Sequence, residues 1–140
     1  MKICGIDIKA SEAIFALASH DNGVLEHQAL PLKKLALEDD EDAAQVKAFA
    51  RQLAEFVSAN GITHLAIKKR SKKGEFAGGP ITFKIEGMLQ LLEGCDVQLV
   101  SPQTINAQAK KHNVELPASL NKYQHDAYKA ACALLLKTGK

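Results

Sequence analysis

Five cations fall within six residues of the sequence, directly after a short apolar segment. Residues 62–67 read ITHLAI, and the cations that follow are Lys68, Lys69, Arg70, Lys72 and Lys73. Lysine and arginine can contact successive phosphates of a nucleic acid, and each contact contributes to affinity by releasing bound counterions. An ordinary solvated loop is the alternative, because lysine and arginine are mostly exposed in any protein. The run therefore predicts either a loop that binds DNA or RNA or a loop rim without a ligand.

Asp7 is the second residue that could do chemistry, because it lies inside the apolar N-terminal segment KICGIDIK. A buried carboxylate without a partner is costly, so it shifts its pKa or acquires a cation. Lys68, projecting from what should be the adjacent strand, could supply that charge. The sequence thus predicts an ion pair between Lys68 and Asp7.

The composition is that of one folded domain. A chain of 140 residues can bury one hydrophobic core, and its 46% of hydrophobic and 24% of charged residues are near the average for globular proteins. Cys4, Cys95 and Cys132 lie far apart and lack C-x-x-C spacing, which favours neither a disulfide framework nor a zinc site. No signal peptide or membrane span is expected. We expect a single domain over residues 1–140, in the cytoplasm and without a membrane partner.

The hydrophobic pattern predicts strands first and then strands alternating with helices. Asn22-Gly23 between two apolar runs is typical of a tight hairpin, so the first thirty residues predict three antiparallel strands. Apolar residues at steps of three and four then predict helices, and short apolar runs predict further strands. The expected order is helix 42–60, strand 62–67, helix 81–92, strand 96–100, helix 101–112 and helix 121–137. This order predicts an α/β fold with a mixed five-stranded sheet and helices on both faces.

The sequence supports neither a serine hydrolase nor a nucleotide-binding protein of two common types. A Ser-His-Asp hydrolase is not supported, because no G-x-S-x-G phrase occurs. Nucleotide binding by a P-loop or a Rossmann turn lacks the necessary glycine pattern.

The element order, the segment ICGIDIKASEAIFALAS and the segment QHDAYKAACALLL together resemble the ribonuclease H-like superfamily. The likeness is strongest to RuvC-like Holliday-junction resolvases and DEDD-type transposases, and the whole chain looks most like a small bacterial family of unknown function in that superfamily. The resemblance implies a ribonuclease H-like fold. It also implies a nuclease that hydrolyses phosphodiesters with Mg²⁺ or Mn²⁺, in which clustered carboxylates hold the metal ions.

The resemblance also implies which residues would form the site. Asp7 matches the metal-holding aspartate of the family's G-[ILV]-D phrase, and Asp126 matches the leading aspartate of its last helix. The acid that the family carries at the end of the fourth strand is replaced by Lys68, and the resemblance makes Asp126 a third member of the expected ion pair between Lys68 and Asp7. Glu75 or Glu86 could complete the set. The candidate catalytic residues are therefore Asp7, Asp126 and Glu86, and the candidate metal ligands are Asp7, Asp126 and Glu75.

Three functions remain open at this point. The first is a RuvC-like protein associated with nucleic acid, in which metal-dependent cleavage would use the reduced acidic set. The second is a binding module that keeps the fold without the chemistry. The third is an interaction scaffold whose basic run meets an acidic partner, for which residues 38–42, EDDED, of a second copy are a candidate. A homodimer would follow from that arrangement.

Overall fold

The protein forms a layered α/β structure, seen in a computed structural model that describes residues 1–71 and 79–138. The strands are β1 Lys2–Lys9, β2 Glu12–Asp21, β3 Val24–Gln28, β4 Lys34–Ala36, β5 His64–Lys68 and β6 Asp96–Val100. The helices are α1 Ala43–Ala59, α2 Pro80–Gln90, α3 Pro102–Lys111 and α4 His125–Thr138, and a short 3-10 turn at Lys122–Gln124 precedes α4. None of the helices in the described ranges has the length and apolar character needed to cross a bilayer.

The strands form one mixed sheet in the order β3-β2-β1-β5-β6, with β4 paired to β2 beside β3. β1, β2 and β3 are antiparallel, whereas β5 and β6 run parallel to β1. This confirms the predicted α/β fold with a mixed sheet and the five expected strands. The sixth strand, β4, was not predicted, because three residues are too few to show an alternating pattern.

Local turn and cap chemistry explains why the elements begin and end where they do. Asn22 and Gly23 both take positive φ, 54° and 76°, as a tight hairpin requires. The Asp42 side chain accepts a hydrogen bond from the backbone N–H of Ala44 at 3.0 Å and so caps α1. Gly61 follows the helix with φ of 61°. The acidic run 38–42 thus serves partly as a helix cap.

The two faces of the sheet carry separate apolar clusters. Cys4, Ile6 and Ile8 of β1 pack with residues of α1 and α2 on one face. Ile3 of β1 packs with Ala127 and other residues of α4 on the opposite face. Because side chains alternate along a strand, Asp7 faces the α4 layer.

Gly5 allows α4 to lie unusually close to β1. A Cβ atom at this position would be 1.7 Å from the carbonyl oxygen and 2.7 Å from the carbonyl carbon of Ala127. Only a residue without a side chain fits such a backbone approach. Gly5 therefore sets the depth of α4, and with it the position of Asp126 one residue before Ala127.

Candidate active site at the end of the first strand

Asp7 is a fully buried carboxylate on β1. Its exposed fraction is 0%, and neither carboxylate oxygen has a hydrogen-bond partner in the part of the chain that the structure describes. The nearest cation is Lys9, whose Nζ lies 3.5 Å from Oδ2 of Asp7. Lys9 is two residues along the same strand, so its side chain starts on the same face as that of Asp7. Among the described residues, Asp7 is therefore balanced by nearby positive charge and not by hydrogen bonds.

Lys68 makes its ion pair with Asp126. Its Nζ donates a hydrogen bond of 3.0 Å to Oδ2 of Asp126, and the two side chains are 21% and 37% exposed. The predicted direct ion pair between Lys68 and Asp7 is wrong, because Lys68 reaches across to α4 instead. The close approach of α4 at Gly5 brings Asp126 within reach of the lysine. The expectation that Lys68, Asp7 and Asp126 belong to one charged group nevertheless holds, since both Lys68 and Asp126 act on the pKa of Asp7.

Burial raises the pKa of Asp7 above its ordinary value, because the interior disfavours the charged form. The positive charges of Lys68 and Lys9 lower the pKa again, and the negative charge of Asp126 raises it, with burial the largest of these effects. The carboxylates of Asp7 and Asp126 thus interact electrostatically although they are 119 residues apart in sequence. Their convergence on one face of the sheet agrees with the placement that the resemblance implied.

The pKa of Asp126 is lowered in spite of its partial burial. Burial alone would raise the pKa of this carboxyl, but the hydrogen bond and the charge of Lys68 together outweigh it. Lys9 and Lys129 add smaller effects in the same direction. Asp126 is therefore an ionised, ion-paired carboxylate at neutral pH.

Replacing Lys68 with methionine is expected to destabilise the fold by about 1–2 kcal/mol at pH 7, because Asp7 loses a nearby positive charge and Asp126 loses its donor. A double-mutant cycle with Asp126→Asn, followed by urea unfolding, isolates the ion pair itself. Solvent screening at a carboxylate that is 37% exposed limits its coupling energy to about 0.5–1 kcal/mol. A coupling energy of zero would show that the 3.0 Å contact does not persist in solution.

The described residues do not assemble a complete metal cage. No three His, Cys, Asp or Glu side chains within residues 1–71 and 79–138 are grouped closely enough to hold an ion. Glu86 is 8% exposed on α2, whose Ile85 packs on the face of β1 opposite to Asp7. Glu86 is thus not brought together with both aspartates, and Glu75 lies outside the described residues. The predicted role of Glu75 as a metal ligand stays a prediction.

Charge also argues against a metal between the two aspartates. A two-metal centre needs several carboxylates to offset four positive charges. Here two carboxylates are already accompanied by Lys68 and Lys9, and Arg70 acts on Asp7 as a further positive charge. The residues described do not fit a divalent metal centre of the resolvase type.

The basic run begins inside the sheet. Lys68 is the last residue of β5, and the backbone N–H of Lys69 donates a 2.9 Å hydrogen bond to the carbonyl oxygen of Val100 on β6. Arg70 is partly buried, and its Nε has no hydrogen-bond partner among the described residues. Lys72 and Lys73 lie outside the described residues, so their predicted contacts with nucleic acid stay predictions.

Lys34 extends the positive charge to the other side of Asp7, a feature that the sequence did not reveal. Ile14 pairs with Asp7 on one side and with Lys34 on the other, so the three residues form a row across the sheet. The Nζ of Lys34 lies 4.8 Å from the centre of the Tyr123 ring and 3.7 Å from Glu12. Only the pairing of β4 with β2 could have indicated this neighbourhood.

Solved structures share this fold. RuvC of Thermus thermophilus superposes with a TM-score of 0.76 at 13% identity, over 97% of this chain and 94% of that chain. The same protein in complex with a Holliday junction substrate gives a TM-score of 0.68 at 15% identity, over 99% and 97% of the two chains. The mitochondrial Holliday junction resolvase Ydc2 of yeast gives 0.53 at 14% identity, over 96% of this chain and 76% of that chain.

These likenesses confirm the RuvC-like, ribonuclease H-like fold that the sequence suggested. No curated protein matches the chain significantly. A family model matches residues 1–134, which is nearly the whole chain. The chain therefore belongs to the family described as "Protein of unknown function (DUF3010)", whose member seen here has the RuvC fold.

Proposed function

We propose that this protein binds nucleic acid at the edge of the sheet where β1 and β5 end, and that it does so without a metal ion. The observation that carries the proposal is the position of Lys68, whose Nζ is hydrogen-bonded to Asp126 at 3.0 Å and acts on the pKa of Asp7. The amine of Lys68 is part of the chain and supplies positive charge that a bound metal ion would otherwise supply to the two aspartates.

The surrounding charges support a phosphate backbone as the partner. Lys9 and Lys34 lie beside Asp7 on β1 and β4, and Lys68, the first residue of the basic run, ends β5 next to Asp126. Clustered lysine and arginine on one face are the usual electrostatic footprint of nucleic-acid binding. Two relatives of the same fold, from Thermus thermophilus and from fowlpox virus, are seen with Holliday junctions. Branched DNA is therefore the first ligand to test.

The test is an electrophoretic mobility shift titration of a four-way DNA junction, with duplex and single-stranded DNA of the same sequence for comparison. We expect retarded species whose affinity is equal in EDTA and in Mg²⁺ at matched ionic strength. We also expect log affinity to fall with log salt with a slope of about −3 to −4, since Lys69, Arg70, Lys72 and Lys73 would each neutralise one phosphate. Lys111→Ala, an exposed lysine on α3, is the control for overall charge.

Absence of any retarded species at low salt would contradict the proposal and would favour the protein scaffold. In that case sedimentation of the chain alone tests the predicted homodimer. Binding that requires a divalent cation would contradict the role given to Lys68.

One observation favours metal-dependent cleavage as a second candidate function. Asp7 is buried, and both of its carboxylate oxygens lack hydrogen bonds in the described part of the chain, so they are available to a cation. The assay is cleavage of the same junction with Mg²⁺ or Mn²⁺, by the wild type and by Asp7→Asn. Cleavage that Asp7→Asn abolishes would support this candidate, and cleavage that survives it would exclude the centre at Asp7 as the source.

A further inference from the structure

A small polar cavity lies away from the aspartates, where the end of β6, the start of α3 and the end of α4 meet. Its volume is about 220 Å³. A water molecule occupies about 30 Å³ in the liquid, so a group of the size of a phosphate has room there. The polar side chains that line it are those of Lys69, Gln98, Ser101, Thr104 and Lys137.

The charge of this cavity is not neutralised by the residues that the structure describes. No carboxylate lines it, and neither Lys69 nor Lys137 lies within ion-pair distance of an acid in the part of the chain that the structure describes. Both lysines line the cavity and are exposed. Two like charges beside one cavity repel each other, and an anion between them would remove that repulsion.

Hydrogen bonds fix the backbone of Lys69 and the hydroxyl groups of Ser101 and Thr104 at this cavity. The backbone of Lys69 is fixed by its 2.9 Å hydrogen bond to Val100. The Ser101 hydroxyl oxygen accepts a 3.1 Å hydrogen bond from the backbone N–H of Thr104 and lies 2.9 Å from the Thr104 hydroxyl. Ser101 thus already caps α3, so binding would rest on the side chains of the two lysines and of Thr104 and not on a bare helix end.

Helix α4 connects the candidate active site, at Asp126 near its start, with the cavity, at Lys137 near its end. Asp126, Lys129 and Lys137 follow one another at helical spacings of three and eight residues, so they lie along one side of the helix. Lys137 is 11 residues beyond Asp126, which corresponds to about 16 Å along the axis. One strand of a duplex passes about five phosphates over that length, at 3.4 Å each.

We propose that the cavity between Lys69 and Lys137 binds a phosphate group, and that this phosphate belongs to the backbone of the nucleic acid held at the sheet edge. That the phosphate belongs to a nucleic acid rests on the proposed function, whereas the affinity of the cavity for a phosphate group does not. The cavity would hold the nucleic acid at a second point, beside Lys137, which lies about 16 Å along the axis of α4 from Asp126.

The test compares Lys69→Ala, Lys137→Ala, the double variant and Lys111→Ala in the junction-binding titration over several salt concentrations. Because both lysines would serve one phosphate, each single variant and the double variant should reduce the salt slope by about 0.9. At 0.1 M salt that corresponds to about eightfold weaker binding. The double variant should lose less than the product of the two single losses. Lys111→Ala should leave the slope unchanged.

A double variant that matches Lys111→Ala, while the wild type binds the junction, would overturn the cavity site and leave the proposed function intact. Losses that multiply independently, with a slope reduced by about two, would mean two separate surface charges and would also overturn it. All four variants alter exposed lysines, so unchanged thermal midpoints should show that folding is preserved.

A second arm separates a free phosphate from a backbone phosphate. Inorganic phosphate is titrated into the protein without nucleic acid while the backbone amide resonances of Ser101 and Thr104 are followed by NMR. Shifts that saturate in the wild type and vanish in the double variant support the site even if no nucleic acid binds, and then identify a free phosphate compound as its ligand. If the double variant changes neither the binding of inorganic phosphate nor the binding of the junction, the site is refuted.

Discussion

Gly5→Ala is expected to lower the free energy of unfolding by at least about 3 kcal/mol. The added Cβ would be 1.7 Å from the carbonyl oxygen of Ala127, which is a backbone atom and cannot rotate away. Relief therefore requires α4 to move off β1 and to open the apolar cluster between them, and overpacking of this kind is among the costly classes of substitution. Urea unfolding followed by circular dichroism measures the loss.

Gly87→Ala is the matched control for this substitution. Gly87 lies inside α2, and a Cβ there would meet nothing within 4 Å. Alanine in a helix interior stabilises relative to glycine, so a gain of about 0.5–1 kcal/mol is expected. Equal stability of Gly5→Ala and the wild type would mean that α4 does not approach β1 as closely as described.

Asp7→Asn is expected to raise the free energy of unfolding by about 1–3 kcal/mol at pH 7, although it alters the residue most central to the site. The substitution removes a buried charge whose oxygens receive no hydrogen bond from residues 1–71 or 79–138. Lys68 keeps its hydrogen bond to Asp126, and Lys9 is 48% exposed, so neither cation is left buried and unpaired.

The dependence on pH identifies the cause of that gain. In the unfolded chain Asp7 releases its proton near the ordinary pKa of 3.8, whereas burial raises the pKa in the folded protein. Between these two values the folded state binds more protons, so the stability of the wild type falls as the pH rises. The gain from Asp7→Asn should thus be full above the folded pKa and should disappear as the pH falls toward 3.8.

Thermal unfolding of both proteins at a series of pH values measures this difference. Glu93→Gln, which removes the same charge from an exposed side chain, should change stability by less than about 0.5 kcal/mol. A loss of stability in Asp7→Asn at neutral pH would indicate that Asp7 is satisfied by a ligand or by a partner.

Local chemistry explains why so much of the fold could be predicted. Asp42 and the Asn60-Gly61 pair lie at the two ends of α1, where cap residues are expected. The strand predicted at 96–100 is observed as Asp96–Val100. Such features depend on neighbours in sequence, which a pattern can reveal. The strand expected at 62–67 is instead His64–Lys68, and this shift places Lys68 within the sheet.

The partners of the charged residues could not be predicted in the same way. Which carboxylate Lys68 reaches depends on how deeply α4 settles on β1, and that depth is set by the contact between Gly5 and Ala127. The pairing of Lys9 with Asp7 could have been found from the alternation of strand side chains. Strand β4 and the position of Lys34 depend on tertiary pairing with β2 alone.

The outer edge of β2 is shared between β3, which pairs with its residues 17–21, and β4, which pairs with residues 12–14. Neither covering strand exceeds five residues, and β6 at the opposite border of the sheet is equally short. A neighbouring chain would thus find only brief stretches of open backbone to which it could add a strand. Self-association through a continuous intermolecular sheet is disfavoured by this design, and any contact between copies would have to be built from side chains.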